Sequence, residues 1–242
     1  MSYTYNVPVK TLIGERAVNT FILSLISLIL TYCIAIPLGM LSGRYQNSFL
    51  DKFVTFYNYV SYAIPTFVLS LIMIWFFGYK LGWFPTTGSV TAGLETGKMG
   101  HFWDRIYHII LPAITYALLG TTWIIQYLRN EVIEAKSLDY VKTAKSKGVP
   151  ENKIYSRHIF RNSILPIAAF FGYAITGLLG GSIFIEKIFS YPGMGGLFIN
   201  SIITRDYSVV TALILLFGFL TLFGSLLSDI ILSIVDPRIR IK

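Results

Sequence analysis

Residues 17–41 read AVNTFILSLISLILTYCIAIPLGML, an apolar run without Asp, Glu, Lys or Arg. The hydrocarbon core of a bilayer is about 30 Å thick, so a spanning helix needs about 20 such residues. Four further runs reach this length, namely Phe53–Tyr79, Ile109–Leu128, Ser163–Ile185 and Tyr207–Val235. Backbone in lipid must satisfy its own hydrogen bonds, which favours helices, whereas a β-barrel would show alternating segments of about ten residues. The pattern predicts an all-α integral membrane protein with five transmembrane helices.

The composition agrees with a membrane protein and excludes an ordinary soluble domain. Hydrophobic residues make up 54% of the 242 residues and charged residues 13%, against roughly 25% charged residues in soluble domains. The net charge of +8 does not indicate nucleic-acid binding, because the basic residues lie mostly between the apolar runs, where they set topology. Cys33 is the single cysteine, which excludes an intramolecular disulfide and a multi-cysteine metal site.

The Lys and Arg residues fall into two sets on alternate sides of the apolar runs. The larger set comprises Arg44, Lys52, Arg129, Lys136, Lys142, Lys145, Lys147, Lys153, Arg157, Arg161, Arg238, Arg240 and Lys242. The smaller set comprises Lys10, Arg16, Lys80, Lys98, Arg105, Lys187 and Arg205. Cytoplasmic loops carry the excess of basic residues, so the larger set is predicted to face the cytosol. The N-terminus is then outside and the C-terminus cytoplasmic in a multi-pass protein of the plasma membrane.

The N-terminal residues 1–16 are polar and show no cleavable signal peptide. A chain that starts outside the cell with no preceding apolar segment suggests that a first span is missing, through truncation or a shortened reading frame. We therefore expect an extracellular segment over residues 1–16 and a transmembrane domain over residues 17–242.

A basic loop separates the third and fourth apolar runs. Its residues 129–162 read RNEVIEAKSLDYVKTAKSKGVPENKIYSRHIFRN. The stretch Leu138–Lys147 is predicted to form a short helix, since Gly148 suits a left-handed cap and Pro150 blocks continuation. A second helix, Glu151–Arg161, would lead into the fourth span. The sequence predicts a helix–Gly turn–helix loop at the cytoplasmic membrane surface.

Three roles fit a basic helical loop of this kind. A lipid-facing amphipathic helix needs a strong apolar face, whereas Leu138, Tyr140, Val141 and Ala144 make a modest one. A topology signal alone does not need the ordered helix–Gly–helix pattern. A docking helix inserts a small, partly apolar face into a groove on a soluble partner, and the pattern favours this role.

Several short motifs recur in a recognisable order along the chain. The loop contains Asp139-Tyr140-Val141, Thr143-Ala144, Lys147-Gly148, Arg157-His158 and Arg161-Asn162, followed by Pro166. Elsewhere stand Asn19-Thr20, Ile36-Pro37-Leu38-Gly39, Ile64-Pro65-Thr66-Phe67, Leu81-Gly82-Trp83-Phe84-Pro85, Leu111-Pro112-Ala113, Gly180-Gly181-Ser182 with Glu186, Pro192-Gly193, Arg205-Asp206-Tyr207 and Asp236-Pro237-Arg238. The loop resembles the EAA loop of binding-protein-dependent ABC importer permeases, although Glu-Ala-Ala becomes Lys142-Thr143-Ala144 here. The whole series is similar to the dipeptide/oligopeptide branch, in particular to an oligopeptide permease B-type subunit lacking its first span.

This resemblance implies the fold of a type I ABC importer permease, whose cytoplasmic loop is a coupling helix seated in a cleft of an ATPase subunit. It implies as partners a homologous permease subunit, two cytoplasmic ATPase subunits and an extracellular substrate-binding protein, with a peptide as substrate. The residues implied to dock the ATPase are Asp139, Tyr140, Ala144, Lys147, Gly148, Arg157, His158 and Arg161. The sequence does not identify the substrate path. A nickel or other small-solute permease of the same branch, an ion-driven transporter and a membrane scaffold are the alternatives.

No catalytic, cofactor or metal site is predicted. Residues 93–99 read GLETGKM, which is one residue too short between its glycines for a phosphate loop and has Met where Ser or Thr would bind magnesium. His101, His108 and His158 lack the spacing of a metal-binding pair. ATP hydrolysis is therefore expected on partner subunits. Asp229 is the one acid within a span, and we expect it to make an interfacial or inter-subunit hydrogen bond.

Overall fold

The chain is predominantly helical in the computed structural model, which describes residues 1–93 and 99–235. The α-helices are α1 (Val9–Arg44), α2 (Phe49–Ala63), α3 (Thr66–Met73), α4 (Met99–Ala135), α5 (Asp139–Ser146), α6 (Glu151–Lys153), α7 (Phe160–Ser163), α8 (Leu165–Gly180), α9 (Ile183–Ile188), α10 (Met194–Ile203) and α11 (Tyr207–Val235). Two π-helical segments, Ile74–Lys80 and Ile154–Ile159, follow α3 and α6. These ranges contain no strand. Most of the GLETGKM stretch and the C-terminal Asp236–Arg240 motif lie outside the described residues.

Among the described residues, three helices are individually long and apolar enough to cross a membrane: α1, α4 and the Tyr207–Ile234 part of α11. They correspond to the first, third and fifth predicted spans. Each of the first two contains a proline, Pro37 in α1 and Pro112 in α4. A transmembrane helix accommodates proline because neighbouring groups satisfy the freed backbone carbonyl. Helix α1 begins at Val9, so the helix starts before the predicted boundary at Ala17.

The second predicted span is strongly bent. Helix α2 and the segment Thr66–Lys80 are together long and apolar enough to cross a membrane, but they meet at an angle of 106°. Pro65 stands at the bend with φ −59° and ψ 141°, and a residue that precedes proline is driven out of the helical region. The proline therefore explains why the helix stops.

The fourth predicted span is also interrupted. Ser163–Ile185 is divided between α7, α8 and α9, with a break at Gly181-Ser182. Gly181 has φ +61°, a conformation that favours glycine. The Ser182 side chain caps α9 by accepting a hydrogen bond from the Ile185 amide. A long apolar run thus contains one helix of 16 residues and a capped, shorter one.

The contacts between residues divide the chain into two compact units. Unit 1 comprises Met1–Leu30, Ile64–Leu118 and Ala174–Gly224. Unit 2 comprises Thr31–Ala63, Leu119–Tyr173 and Ser225–Lys242. All described basic residues of the predicted outer set belong to unit 1, and all described basic residues of the predicted cytoplasmic set belong to unit 2. The grouping by contact therefore agrees with the grouping by charge.

Helices α1 and α4 approach closely within unit 2 because α1 carries small residues at the crossing. A Cβ at Gly39 would lie 3.0 Å from the Leu128 Cβ, and one at Gly43 would lie 2.7 Å from the Val132 Cβ. Gly39 and Gly43 are four residues apart, and small residues at this spacing let helix backbones approach in membranes. This glycine pair was not predicted, although Gly39 lies near the end of the first predicted span and Gly43 lies just after it.

Candidate docking site

Helix α5 is short and is closed by a glycine. The Val149 amide donates to the Ala144 carbonyl at 3.1 Å, and the Gly148 amide donates to the Lys145 carbonyl at 2.9 Å. Together with φ +72° at Gly148, these two bonds form a Schellman motif. The predicted C-terminal cap at Gly148 is confirmed, and the helix ends within one residue of its predicted bound. The turn fixes the direction in which the chain leaves α5.

The two faces of α5 have different surroundings. Val141 and Ala144 are buried in the hydrophobic core of unit 2, against which Val149 also packs. Tyr140 is half-buried, and burial raises the pKa of its phenol. The opposite face is polar and exposed, and it carries Asp139, Lys142, Thr143, Lys145, Ser146 and Lys147. A partner can therefore reach the basic face of α5 but not its apolar face.

The structure places the predicted docking residue Ala144 on the buried face of α5. Docking was expected to use Ala144 as a contact residue, yet the chain's own core covers its side chain, which is 6% exposed. The eight-residue helix α5 has only a small apolar face. In the structure this face packs the loop against the rest of unit 2. Asp139, Lys147 and Gly148 are exposed, and their docking role stays a prediction.

The remaining predicted docking residues lie on the segment after the Gly148 turn. This segment runs without interruption from α6 through the π-helical residues Ile154–Ile159 into α7, in place of the single predicted helix. Ile154 and Ile159 are buried in the same core as α5. Arg157 and Arg161 are exposed and His158 is half-buried. The structure thus places two of the three predicted docking residues of this segment at the surface, above a buried face that packs into the core.

A group of cationic and aromatic side chains fastens the loop to the ends of α1 and α4. The Arg44 guanidinium donates to the Asn152 Oδ1 at 2.7 Å and lies 4.7 Å from the ring centre of Tyr155. The Lys136 Nζ donates to the Arg44 carbonyl at 2.8 Å and also lies over Tyr155. Burial lowers the pKa of Lys136. These contacts connect the loop rigidly to two long helices.

A buried ion pair stands next to this group. The Asp51 carboxylate accepts hydrogen bonds from Arg129 Nε at 2.6 Å and Arg129 Nη2 at 2.8 Å. It also accepts from the Ser42 hydroxyl at 2.5 Å and the Asn47 amide at 2.8 Å. The Asp51 side chain is 4% exposed. The pair joins the end of α1, the turn that follows it, the start of α2 and the end of α4.

Sequence reasoning missed this ion pair. Asp51 and Arg129 are 78 positions apart. Arg129 was considered only as a member of the cytoplasmic basic set, and Asp51 was not singled out. One signal was available, because Asp51 lies close to Lys52, which was predicted to lie at the same cytoplasmic face as Arg129. Two opposite charges at one membrane boundary favour a pair, but the sequence alone does not select the partners.

Unit 1 contains two buried carboxylates of its own. Glu186 accepts from the Thr20 hydroxyl at 2.7 Å and from the Gly196 amide at 3.0 Å, so its charge lies at the N-terminus of α10. Asp206 accepts from the Ser2 hydroxyl and from the Thr4 amide. Desolvation raises the pKa of Asp206, but these hydrogen bonds outweigh it and leave the pKa below its ordinary value. The N-terminal residues are thereby fixed to the turn before α11.

Comparisons with known proteins agree with the architecture. The family described as "Binding-protein-dependent transport system inner membrane component" matches residues 35–241. The oligopeptide transport system permease protein AppB of Bacillus subtilis (strain 168) is 40% identical over 233 residues, which are 96% of this chain and 72% of that protein. The dipeptide transport system permease protein DppB of Lactococcus lactis subsp. cremoris (strain MG1363) is 32% identical, over 99% of this chain and 75% of that protein.

A solved structure shows the same fold at low sequence identity. The inward-facing MetNI methionine ABC transporter contains a chain that superposes with a TM-score of 0.75 at 16% identity, covering 98% of this chain and all of that one. The type I importer permease fold expected from the resemblance is confirmed. The chain belongs to the family of inner-membrane components of binding-protein-dependent transport systems, the multi-pass permease subunits of ABC importers.

Proposed function

We propose that this chain is the permease subunit of an ATP-driven importer of oligopeptides or dipeptides. The observation that carries the proposal is a basic, exposed helix face on a rigid support, in a chain whose relatives are named as peptide permeases. A homologous permease subunit completes the translocation path. Two cytoplasmic ATPase subunits drive it, and an extracellular binding protein delivers the substrate.

The transport mechanism is alternating access. Closure of the ATPases on ATP displaces the docked α5, and the contacts of Arg44 and Lys136 pass this displacement to α1 and α4. Because the loop is packed onto unit 2 through Val141 and Ala144, it moves with these helices rather than independently of them. The residues proposed to touch the ATPase are those of the exposed face, together with Arg157 and Arg161.

The proposed orientation places residues 1–16 outside the cell and the loop of residues 129–162 in the cytosol. It rests on the excess of Lys and Arg in unit 2. The hydrogen bonds between the N-terminal residues and Asp206 support it, because both segments were assigned to the outer side from charge alone. Residues 17–242 then form the transmembrane permease domain.

Labelling of a cysteine at Ser146 tests orientation and docking together. Ser146 is exposed on α5, and Cys33→Ala removes the single natural thiol. In Cys33→Ala/Ser146→Cys, an impermeant maleimide is expected to label inverted vesicles at least tenfold more than intact cells. Added ATPase subunits are expected to block the reaction. Labelling from outside the cell would overturn the orientation and the docking proposal with it.

A substitution at Gly148 tests whether the Schellman turn positions the docking helix. Valine is strained at φ +72°, at a cost of about 1–2 kcal/mol, so Gly148→Val should open the turn and misdirect α5. We expect ATPase capture by the purified permease complex to fall about tenfold. Gly148→Asn is the matched control, since asparagine tolerates this conformation, and it should retain capture within twofold. Equal loss in both variants would show that the Gly148 surface itself, rather than the turn, is required.

A further inference from the structure

A cavity of about 380 Å³ lies between α2 and α4 in unit 2, and no role has been assigned to it. Its volume falls within the roughly 300–1,000 Å³ range of small-molecule sites. Its polar side chains are Asn58, Thr122 and Gln126, and its aromatic side chains are Tyr59, Tyr62 and Trp123. Asn58 lies seven residues after Asp51, which is about 10 Å along α2. The cavity therefore opens on the membrane-embedded part of α2, two turns beyond the buried ion pair.

Polar atoms in this cavity lack partners within the described residues. Asn58 is 4% exposed, and its Oδ1 accepts no hydrogen bond. Its Nδ2 reaches the Gln126 Oε1 only at 3.5 Å, the outer limit of a hydrogen bond. The buried Thr122 hydroxyl also makes no hydrogen bond. A buried polar group without a partner costs about 1–3 kcal/mol, so a ligand that supplies donors and acceptors here is strongly favoured.

The aromatic side chains give the cavity an apolar rim. Tyr59, Tyr62 and Trp123 are 70%, 86% and 47% exposed, and Trp123 stacks on Tyr127 with ring centres 5.4 Å apart. Exposed rings beside buried amides suit a ligand that carries polar groups along its centre and variable apolar groups at its sides. A peptide has this distribution.

We infer, resting on the proposed function, that this cavity is a subsite for the backbone of the transported peptide. The Asn58 Oδ1 accepts a backbone N–H, while the Thr122 hydroxyl and the Gln126 amide bind the neighbouring peptide group. The aromatic rim receives side chains without selecting among them. Every side chain that lines the cavity is uncharged, so the site does not provide the imidazole, thiolate or carboxylate ligands that a nickel ion would take.

Two other occupants fit the cavity less well. A lipid acyl chain would leave the Asn58 and Thr122 oxygens unsatisfied in an apolar medium, which costs several kcal/mol per group. A helix of the partner permease would satisfy them only by presenting side chains, because helix backbone groups are already paired. A peptide in transit presents free backbone donors and acceptors. Unlike a partner helix, it also leaves the cavity once it has been transported.

Transport by the complete importer in proteoliposomes tests the subsite. The probe is a mixture of radiolabelled alanine oligomers of different lengths. Asn58→Leu/Gln126→Leu is expected to lower ATP-dependent uptake at least tenfold, while assembly with the partner permease and the ATPase subunits stays within twofold. Trp123→Ala is expected to lower uptake several-fold, and its matched control Trp75→Ala, at an exposed tryptophan of unit 1, should transport normally.

The outcomes separate the subsite from the proposed function. Failure of the unaltered importer to transport any oligomer would overturn the proposed function. Normal uptake by the double Leu variant in an active importer would overturn the subsite alone. Loss of the partner permease from the variant complex would assign the cavity to a subunit interface and also overturn the subsite.

Covalent labelling provides a second measurement that does not depend on a loss of activity. Leu119 lines the cavity, and Leu119→Cys is introduced with Cys33→Ala. Bromoacetyl-trialanine should label this cysteine at least fivefold faster than it labels a cysteine at Phe76 in unit 1. Unlabelled alanine oligomers should protect it. Equal rates at the two positions, or no protection, would overturn the subsite.

Discussion

The variant Asp51→Leu is expected to lower the free energy of unfolding by about 3–5 kcal/mol, because it leaves the Arg129 guanidinium buried without its counter-charge. Asp51 accepts four hydrogen bonds in the structure, two of them from Arg129. Its loss therefore also frees the Ser42 hydroxyl and the Asn47 amide. We expect a large fall in the unfolding midpoint of the purified complex in detergent, and a fall in the amount of folded protein in the membrane.

A second variant tests whether the unpaired charge of Arg129 causes the loss of stability in Asp51→Leu, and an exposed ion pair serves as the control. Arg129→Met added to Asp51→Leu removes the orphaned charge, so the double variant should recover a substantial part of the lost stability. The exposed pair Asp139–Lys142 has a similar distance of 2.9 Å with side chains 95% and 67% exposed, and Asp139→Ala should cost no more than about 0.5 kcal/mol. An unchanged midpoint in Asp51→Leu would mean that the pair does not hold α2 and α4 together.

The sequence predicted best those features that depend on local chemistry. Three of the predicted apolar runs form single long helices in the structure, because about 20 apolar residues suffice to define a span. Gly148 and Pro150 marked the end of α5 because their allowed backbone conformations are restricted. These predictions needed no knowledge of what packs against the segment. The helix break at Pro65 also has a local cause, but Phe53–Tyr79 was predicted as one span, so the break itself was not predicted.

Features that depend on distant residues were not predictable from a single sequence. The 106° bend at Pro65 depends on what α2 and α3 pack against. Asn58 meets Gln126 across 68 positions, and neither amide is unusual within its own helix. The sequence likewise showed that α5 has a small apolar face, but not whether a partner or the chain itself covers it. The docking residues were therefore predicted as a segment, and the structure places Ala144 on the buried face of that segment.

Ala144→Glu is consequently expected to act on the fold rather than directly on a partner. The new carboxylate would enter the hydrophobic core formed by Val141, Ile154 and Ile159. A charge buried without a partner costs several kcal/mol, so the loop should detach from unit 2. We expect the unfolding midpoint to fall strongly, local proteolysis of the loop to increase, and ATPase capture to be lost as a result.

Thr143→Glu distinguishes this explanation from a direct contact, because Thr143 is the neighbouring residue and is exposed on the basic face of α5. Its stability should remain within about 0.5 kcal/mol of the unaltered chain, as for most surface substitutions. If the exposed face docks the ATPase, Thr143→Glu should still weaken capture, by several-fold, with the loop resistant to protease. If instead Ala144→Glu retains a normal midpoint and a protected loop while capture is lost, Ala144 would be a contact residue after all, and α5 would have to turn its apolar face outward in the assembled importer.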